Sequence, residues 1–158
     1  MNMTIRDMAA GEERLLWRLF HETIHTVNGR DYTPEQLQAW SPEDRDMEAW
    51  TAHMQRTRPF VAVADETIVG FSDVQPDGLV DFLFVHHAYQ GRGVGTQLLN
   101  EVLRRAREDR LPALHSHVSI TARGLFERFG FVVDEPQTVV SRGVEMTNFL
   151  MRKNFSEE

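Results

Sequence analysis

Gln90-Gly91-Arg92-Gly93-Val94-Gly95 sets three glycines at alternate positions directly before a helical pattern, TQLLNEVLRRA. Glycines there let the chain turn sharply and leave backbone N–H groups free at a helix N-terminus. Together with the helix dipole, such amides can hold a phosphate. The stretch just upstream, GLVDFLFV, is apolar except for Asp81. Strand alternation puts Asp81 on the face of Leu79, Leu83 and Val85. Burial among those neighbours would raise its pKa and suit it to accept a proton near neutrality. Asp81 is therefore the first candidate base; the alternative is that it caps the start of the strand or binds the substrate's positive group.

Two familiar phosphate motifs fail here. G-x-G-x-x-G is not matched at Gly91 or Gly93, and no βαβ companion precedes the strand. A Walker loop needs a Lys-Ser/Thr pair, and none follows. What remains is the spacing Q-x-x-G-x-G over Gln90, Gly93 and Gly95. Downstream, His115, His117 and Ser119 share one strand face, so either imidazole could titrate near neutrality and shuttle protons. His115-x-His117 has no third ligand in frame, and no metal is expected. His86-His87 reads as loop first and site rim second. The chain has no cysteine, which removes disulfides, thiolate metal sites and a cysteine nucleophile.

The elements that must position these residues follow from periodicity. Thr4-Ile5-Arg6 is a short opening strand. Leu16, Leu19, Phe20, Ile24 and Val27 form a helical stripe ending at Asn28-Gly29. Thr33-Pro34-Glu35-Gln36 carries an N-cap, a proline at the first helical position and a glutamine at the third. The same device at Ser41-Pro42-Glu43-Asp44 predicts a further helix towards Met47, Trp50 and Met54. The period then shortens: Phe60–Ala64, Thr67–Val74 and Leu79–Val85 read as strands of a meander, with a turn at Pro76-Asp77-Gly78. After the glycines, Leu98, Leu99, Val102, Leu103 and Ala106 lie on one helix face, opposite Glu101, Arg104, Arg105 and Glu108. Ala113–Val118 is a strand, Ala122–Phe129 a short helix closed by Gly130, and Phe131–Val133 a strand. Gln137–Val140 and Val144–Met151 make a final hairpin. The order β, α, α(α), β, β, β, α, β, α, β, β is that of one α+β domain over residues 1–158, its mixed, mostly antiparallel sheet flanked by helices. The step from Leu79 to Val118 should place those two strands parallel through a right-handed crossover.

With 41% hydrophobic and 26% charged residues, the composition is that of an ordinary globular domain. A formal charge of −7 argues against nucleic-acid binding. No run approaches the ~20 apolar residues of a membrane span, and the N-terminus lacks a signal-peptide core. The expectation is a cytoplasmic protein with no membrane partner.

Gln90–Gly95, between that strand and an amphipathic helix, resembles the acetyl-CoA motif of the GNAT N-acetyltransferases. Ser119–Phe131, SITARGLFERFGF, is similar to the family's strand-to-helix segment ending in E-x-x-G-F. The element order and the closing Met146–Lys153 strand agree, so the resemblance covers nearly the whole chain. YTPEQLQAWSP, Tyr32–Pro42, further resembles a bacterial subgroup of acetyltransferases whose substrates are generally unassigned.

The resemblance implies a GNAT-like acyl-CoA N-acyltransferase fold with acetyl-CoA as cosubstrate. Backbone amides of Gly91, Arg92, Gly93, Val94, Gly95 and Thr96 would bind the pyrophosphate, beside Gln90, with the Arg92 guanidinium in reach of a phosphate. Main-chain groups of Leu83, Phe84 and Val85 would pair with the pantetheine like an added strand, one amide near Val85 polarising the thioester carbonyl. The tyrosine that often serves as acid falls at Phe126, which cannot donate a proton and is counted with the cofactor contacts. Ser119 stands where asparagine is frequent on the splayed strand; with His117 and Asp81 it completes the catalytic candidates. The acceptor would meet the N-terminal helices, where Tyr32, Trp40 and Trp50 line a pocket or belong to the core; Tyr32 and Trp40 are the substrate candidates.

The leading expectation is direct acetyl transfer to a primary amine of a small molecule. A non-catalytic acyl-CoA-binding or regulatory module is the alternative, motivated by Phe126. A nucleotide-binding phosphate-loop protein is disfavoured by the failed motifs. The sequence leaves the acceptor and the oligomeric state open, a homodimer included.

Overall fold

The protein is described by a computed structural model of residues 1–155. Its elements run β1 (Met3–Asp7), α1 (Glu13–Thr26), α2 (Pro34–Trp40), α3 (Met47–Thr57), β2 (Phe60–Ala64), β3 (Thr67–Ser72), β4 (Leu83–Val85), α4 (Val94–Glu108), β5 (Ala113–Ser119), α5 (Arg123–Arg128), β6 (Val132–Ser141) and β7 (Val144–Asn154). This is the expected order and an α+β class. No helix among the described residues is long and apolar enough to cross a membrane.

The cap signals hold for α2. Thr33 Oγ1 accepts from the Gln36 amide at 3.2 Å while Gln36 Oε1 accepts from the Thr33 amide at 2.9 Å. They fail for α3, which begins at Met47 and not at Ser41-Pro42. There the cap is Asp46, whose Oδ1 accepts from the amides of Glu48 and Ala49. Ser41 is fully buried at the end of α2, its hydroxyl 2.7 Å from His21 Nδ1. A hydroxyl held by α1 is not available to start the next helix.

β1 to β4 form one antiparallel sheet in chain order, and β5, β7 and β6 a second in that order. Alternation along β2 divides the core. Phe60, Ala62 and Ala64 pack with α4 on one face of the first sheet, and Val61 packs with α1, α2 and α3 on the other. Gly70 lets α4 lie close: a Cβ there would sit 3.0 Å from Leu98 and Val94 side chains and 2.9 Å from the Phe84 carbonyl.

Among the described residues the two sheets meet at one parallel bridge, Leu79 to His115, where Val80 N–H donates to His115 O and His115 N–H to Gly78 O, each at 2.9 Å. The parallel relation expected between Leu79–Val85 and the next strand is thus confined to its start. The expected strand over Leu79–Val85 is also shorter, reduced to Leu83–Val85. Side chains divert the backbone between: Ser116 Oγ donates to Val80 O at 2.7 Å, Ser72 Oγ to Phe82 O at 2.6 Å, and the Asp73 carboxylate accepts from Asp81 and Phe82 amides. With those groups satisfied elsewhere, β4 turns away from β5 and a cleft opens.

The last strands differ from expectation as well. Val132 and Val133 of the expected strand Phe131–Val133 and all of Gln137–Val140 are parts of one strand, β6, with a register shift between Val133 and Glu135, and Phe131 precedes it. Pro136 sits inside it because β6 is an edge strand, where a missing N–H breaks no necessary ladder bond.

Candidate active site

The cleft between β4 and β5 has a volume of about 540 Å³. At one end stands the start of α4. Gly91 and Gly93 have φ of +73° and +82°, the left-handed region that glycine enters without strain. The first intrahelical donor is Gln97, bonded to Gly93 O at 3.1 Å. The amides of Val94, Gly95 and Thr96 precede it and have no carbonyl of the helix to bond. They line the cleft, as do Gly91 and Gly93. A Cβ on Gly95 would approach Leu125 Cδ2 to 2.8 Å, so that glycine lets α5 close against the turn. This cradle suits an anionic group. Arg92 is exposed, its guanidinium 5.2 Å from the Tyr89 ring centroid.

β4 offers one open edge. His86 N–H donates to Val69 O at 2.8 Å, towards β3. Backbone groups alternate along a strand, so Leu83 and Val85 face the cleft while Phe84 faces β3. Only Leu83 and Val85, not all three residues, therefore present main-chain groups for an extended ligand. Val85 O is already shared by Thr23 Oγ1 at 3.0 Å and Gln90 Nε2 at 2.9 Å. Gln90 thus spends its side chain bracing the strand end, and the Val85 amide is held pointing into the cleft.

Asp81 lines the same cleft. The burial expected of it is not found: its side chain is 32% exposed, because residue 81 lies in the diverted segment and not in the strand. Its Oδ2 is 2.7 Å from His53 Nε2. The buried acid is its neighbour Asp73, 1% exposed. Burial pushes the Asp73 carboxyl up to about 6, with hydrogen bonds from Gln75 and the Phe82 amide opposing that rise. Asp73 holds the amides of residues 81 and 82 and so fixes where the Asp81 side chain starts.

On the opposite strand, Ser119 and His117 line the cleft. Ser119 Oγ accepts from the Ala122 amide at 3.1 Å, which leaves its proton free to donate. His117 Nδ1 lies 3.0 Å from Gln137 Oε1. His115 lies where the sheets join and is not among the lining residues. Phe126 is 2% exposed and packs edge-on to Phe131 at 5.0 Å, an apolar wall of the cleft without a transferable proton. Tyr32 and Trp40 also line the cleft, their ring centroids 5.4 Å apart. Tyr32 spans it: the hydroxyl accepts from the Ile120 amide at 3.0 Å and donates to Thr147 O at 2.7 Å. Burial pushes its pKa up. Trp50, in contrast, is core, its indole N–H bonded to Glu13 O.

Four residues of this site escaped the reading from sequence. Thr23 sits on the apolar stripe of α1, a polar residue where only apolar ones were counted. His53 flanks the apolar stripe of α3, three residues after Trp50, its ring centroid 5.3 Å from that of Phe82, and carries no sequence signal of its own. Asp73 fell inside the stretch Thr67–Val74 read as strand, which ends at Ser72 in the structure, and nothing in that reading marked it as a buried acid. Asn148 pairs across β7 with Ser119 and lines the cleft, its Oδ1 buried with no partner among the described residues.

The sequence matches the model of an acetyltransferase (GNAT) domain over residues 28–154. It is 32% identical over 151 residues to the uncharacterized N-acetyltransferase YafP of Escherichia coli K12, covering 96% of this chain and 95% of that protein. Among solved structures, a GCN5-related N-acetyltransferase from Rhodopseudomonas palustris superposes with a TM-score of 0.91 at 26% identity, over 98% of this chain and 99% of the other. The PaiA N-acetyltransferase of Thermoplasma acidophilum, solved with coenzyme A, shares the fold at a TM-score of 0.77 and 18% identity, over 98% and 100% of the two chains. YncA of Salmonella typhimurium, solved with acetyl-CoA, does so at 0.72 and 18%, over 100% and 96%.

Proposed function

This chain belongs to the GNAT acetyltransferases, and on that premise we propose that it transfers an acetyl group from acetyl-CoA directly to a primary amine of a small molecule. One juxtaposition carries this reading: the amide-lined start of α4 and the carboxylate of Asp81 open on the same cleft. The amides of Gly91–Thr96 hold the pyrophosphate, and the Leu83 and Val85 edge aligns the pantetheine by main-chain hydrogen bonds. Phe126 packs against it. Bound there, acetyl-CoA supplies an activated thioester.

Asp81 takes a proton from the incoming ammonium, since a protonated amine has no lone pair with which to attack. His53 orients the carboxylate and passes that proton towards solvent. The amine nitrogen then bonds to the carbonyl carbon as the carbon–sulfur bond breaks. The Val85 amide, aimed into the cleft, stabilises the negative charge that grows on the carbonyl oxygen. CoA departs as a thiolate, a tolerable leaving group with a thiol pKa near ~8.5. The nitrogen sheds its second proton as the amide forms; Ser119 Oγ–H, with His117 on the same strand face, gives its proton to the sulfur and takes that one in return, in the place of the tyrosine that Phe126 replaces. Tyr32 and Trp40 wall the acceptor side.

Purified protein given acetyl-CoA and a panel of primary amines should release free thiol and yield N-acetylated products by mass spectrometry. Stabilisation by CoA with no product from any acceptor would instead favour a non-catalytic acyl-CoA-binding module, the reading that Phe126 supports.

A further inference from the structure

Two guanidiniums crowd the end of α2 without a paired carboxylate among the described residues. Arg45 Nη2 donates to Trp40 O at 2.8 Å, and Arg142 Nη1, from the turn between β6 and β7, donates to Ala39 O at 2.7 Å. The arginines that do pair with carboxylates among the described residues include Arg6, Arg104, Arg105, Arg123 and Arg152. Arg45 is flanked in sequence by Asp44 and Asp46, yet pairs with neither; Asp46 is turned away to cap α3. Arg45 lies 5.4 Å from the Phe20 ring centroid and 5.5 Å from that of Trp50, and its Nε is buried with no partner among the described residues. Burial first, and then the charge of Arg142, lower its pKa from the ordinary guanidinium value.

Capping explains one cation at a helix C-terminus. It does not explain two that repel each other at the end of a seven-residue helix, in a chain whose net charge is −7. A planar anion between the two forks would relieve the repulsion and use N–H groups that the carbonyls leave over. The position fits the acceptor and not the carrier. Phe20, Trp40 and Ser141 line the cleft and adjoin the two arginines, which themselves stand outside that lining, on the α1–α3 face of the first sheet. The glycine turn belongs to α4, on the opposite face.

We propose that Arg45 and Arg142 together hold a carboxylate of the acyl acceptor, so that the substrate is an amine that also carries a carboxylate. This rests on the amine acetylation proposed above. The carboxylate anchors the molecule beneath Trp40 while its amine is left to meet Asp81.

Matched acceptors test it: L-phenylalanine against 2-phenylethylamine, L-lysine against 1,5-diaminopentane, and O-phosphoethanolamine for a phosphate. The carboxylated member of each pair should be favoured in kcat/KM by roughly tenfold or more. In Arg142→Gln, a change at an exposed turn, that ratio should collapse towards one through KM. Arg45→Lys, which retains the charge but loses the fork, should reduce the ratio less. Binding of 3-phenylpropionate to the CoA-loaded protein, by calorimetry, gives a readout free of turnover and should weaken roughly tenfold in Arg142→Gln.

Equal or better use of the decarboxylated amines overturns the carboxylate site and leaves amine acetylation standing. Preference for the phosphate compound overturns the carboxylate assignment, as does 3-phenylpropionate binding that ignores the substitution. Arginine-dependent binding of 3-phenylpropionate without acetylation of any amine supports the anion site and sinks the acetylation reading instead.

Discussion

The two faces of the first sheet are built from different materials. Against α4 the core is mostly aliphatic, with Val69, Val94, Leu98, Leu99 and Val102 all buried. Against α1, α2 and α3 it is aromatic: the Phe20 ring lies 5.0 Å from Trp50, 4.7 Å from Phe84 and 6.0 Å from Phe82. The aliphatic face needs only to seat a helix whose first amides are exposed, and small branched side chains pack such a helix closely. The aromatic face carries polar atoms at its margins, and rings give them a rigid support with few rotamers to lose. One face thus offers backbone groups to a ligand and the other offers side chains. That division is what a cosubstrate shared by many proteins and an acceptor peculiar to one would require.

Three substitutions sharpen or break this division. The largest effect is expected from Asp81→Asn, which keeps the shape but removes the proposed base. Turnover should fall ~100-fold, within the range that acid–base groups supply, while the dissociation constant for CoA holds in calorimetry. If CoA binding moved with turnover, the two faces would not be separable. Gly93→Val attacks the other side. A β-branched residue at φ +82° costs about 2 kcal/mol, so CoA affinity should drop by roughly 30-fold. A Kd unaltered by this change would remove the turn from cosubstrate binding.

The smallest effect concerns Asp73, which positions the Asp81 segment. Its folded pKa, about 6, lies above the ordinary carboxylate value of 3.8. The folded chain therefore holds a proton that the unfolded chain releases. Stability from this source is complete below about pH 3.8 and declines as pH rises through about 6. Melting curves from pH 4 to 7 should decline less steeply in Asp73→Asn than in the native protein, by on the order of 5 °C over the window. Parallel curves would mean that Asp73 contributes no pH dependence.

The division also governs what could be read from residues alone. Gly91, Gly93 and Gly95 announce the turn because a backbone device is written in spacing, and the apolar stripe of α4 announces where the helix lies. The Thr33–Gln36 cap is equally legible, being a bond between residues three apart. Ser41-Pro42 has the same letters and no helix, because a histidine twenty residues earlier holds the hydroxyl. Asp81 was found for its isolation among apolar residues, but its assumed burial depended on a strand that three side chains cut short. His53 and Asp73 meet it only after α3 and β3 are placed.

By itself the sequence determined the α+β order and the position of the glycine turn, since these rest on local periodicity and on glycine's freedom at positive φ, while the family came from the resemblance of Gln90–Gly95 and Ser119–Phe131 to its motifs. Tertiary structure decided where β4 leaves β5, which acid is buried, which histidine reaches Asp81, and that Arg45 and Arg142 converge. Those features depend on groups 8 to 97 positions apart in the chain meeting across the fold (the Asp73 carboxylate and the Asp81 amide at the short end, Arg142 and Arg45 at the long end). No local pattern encodes such a meeting, because the free energy that holds it comes from packing and charge between elements and not from the chain conformation within any one of them.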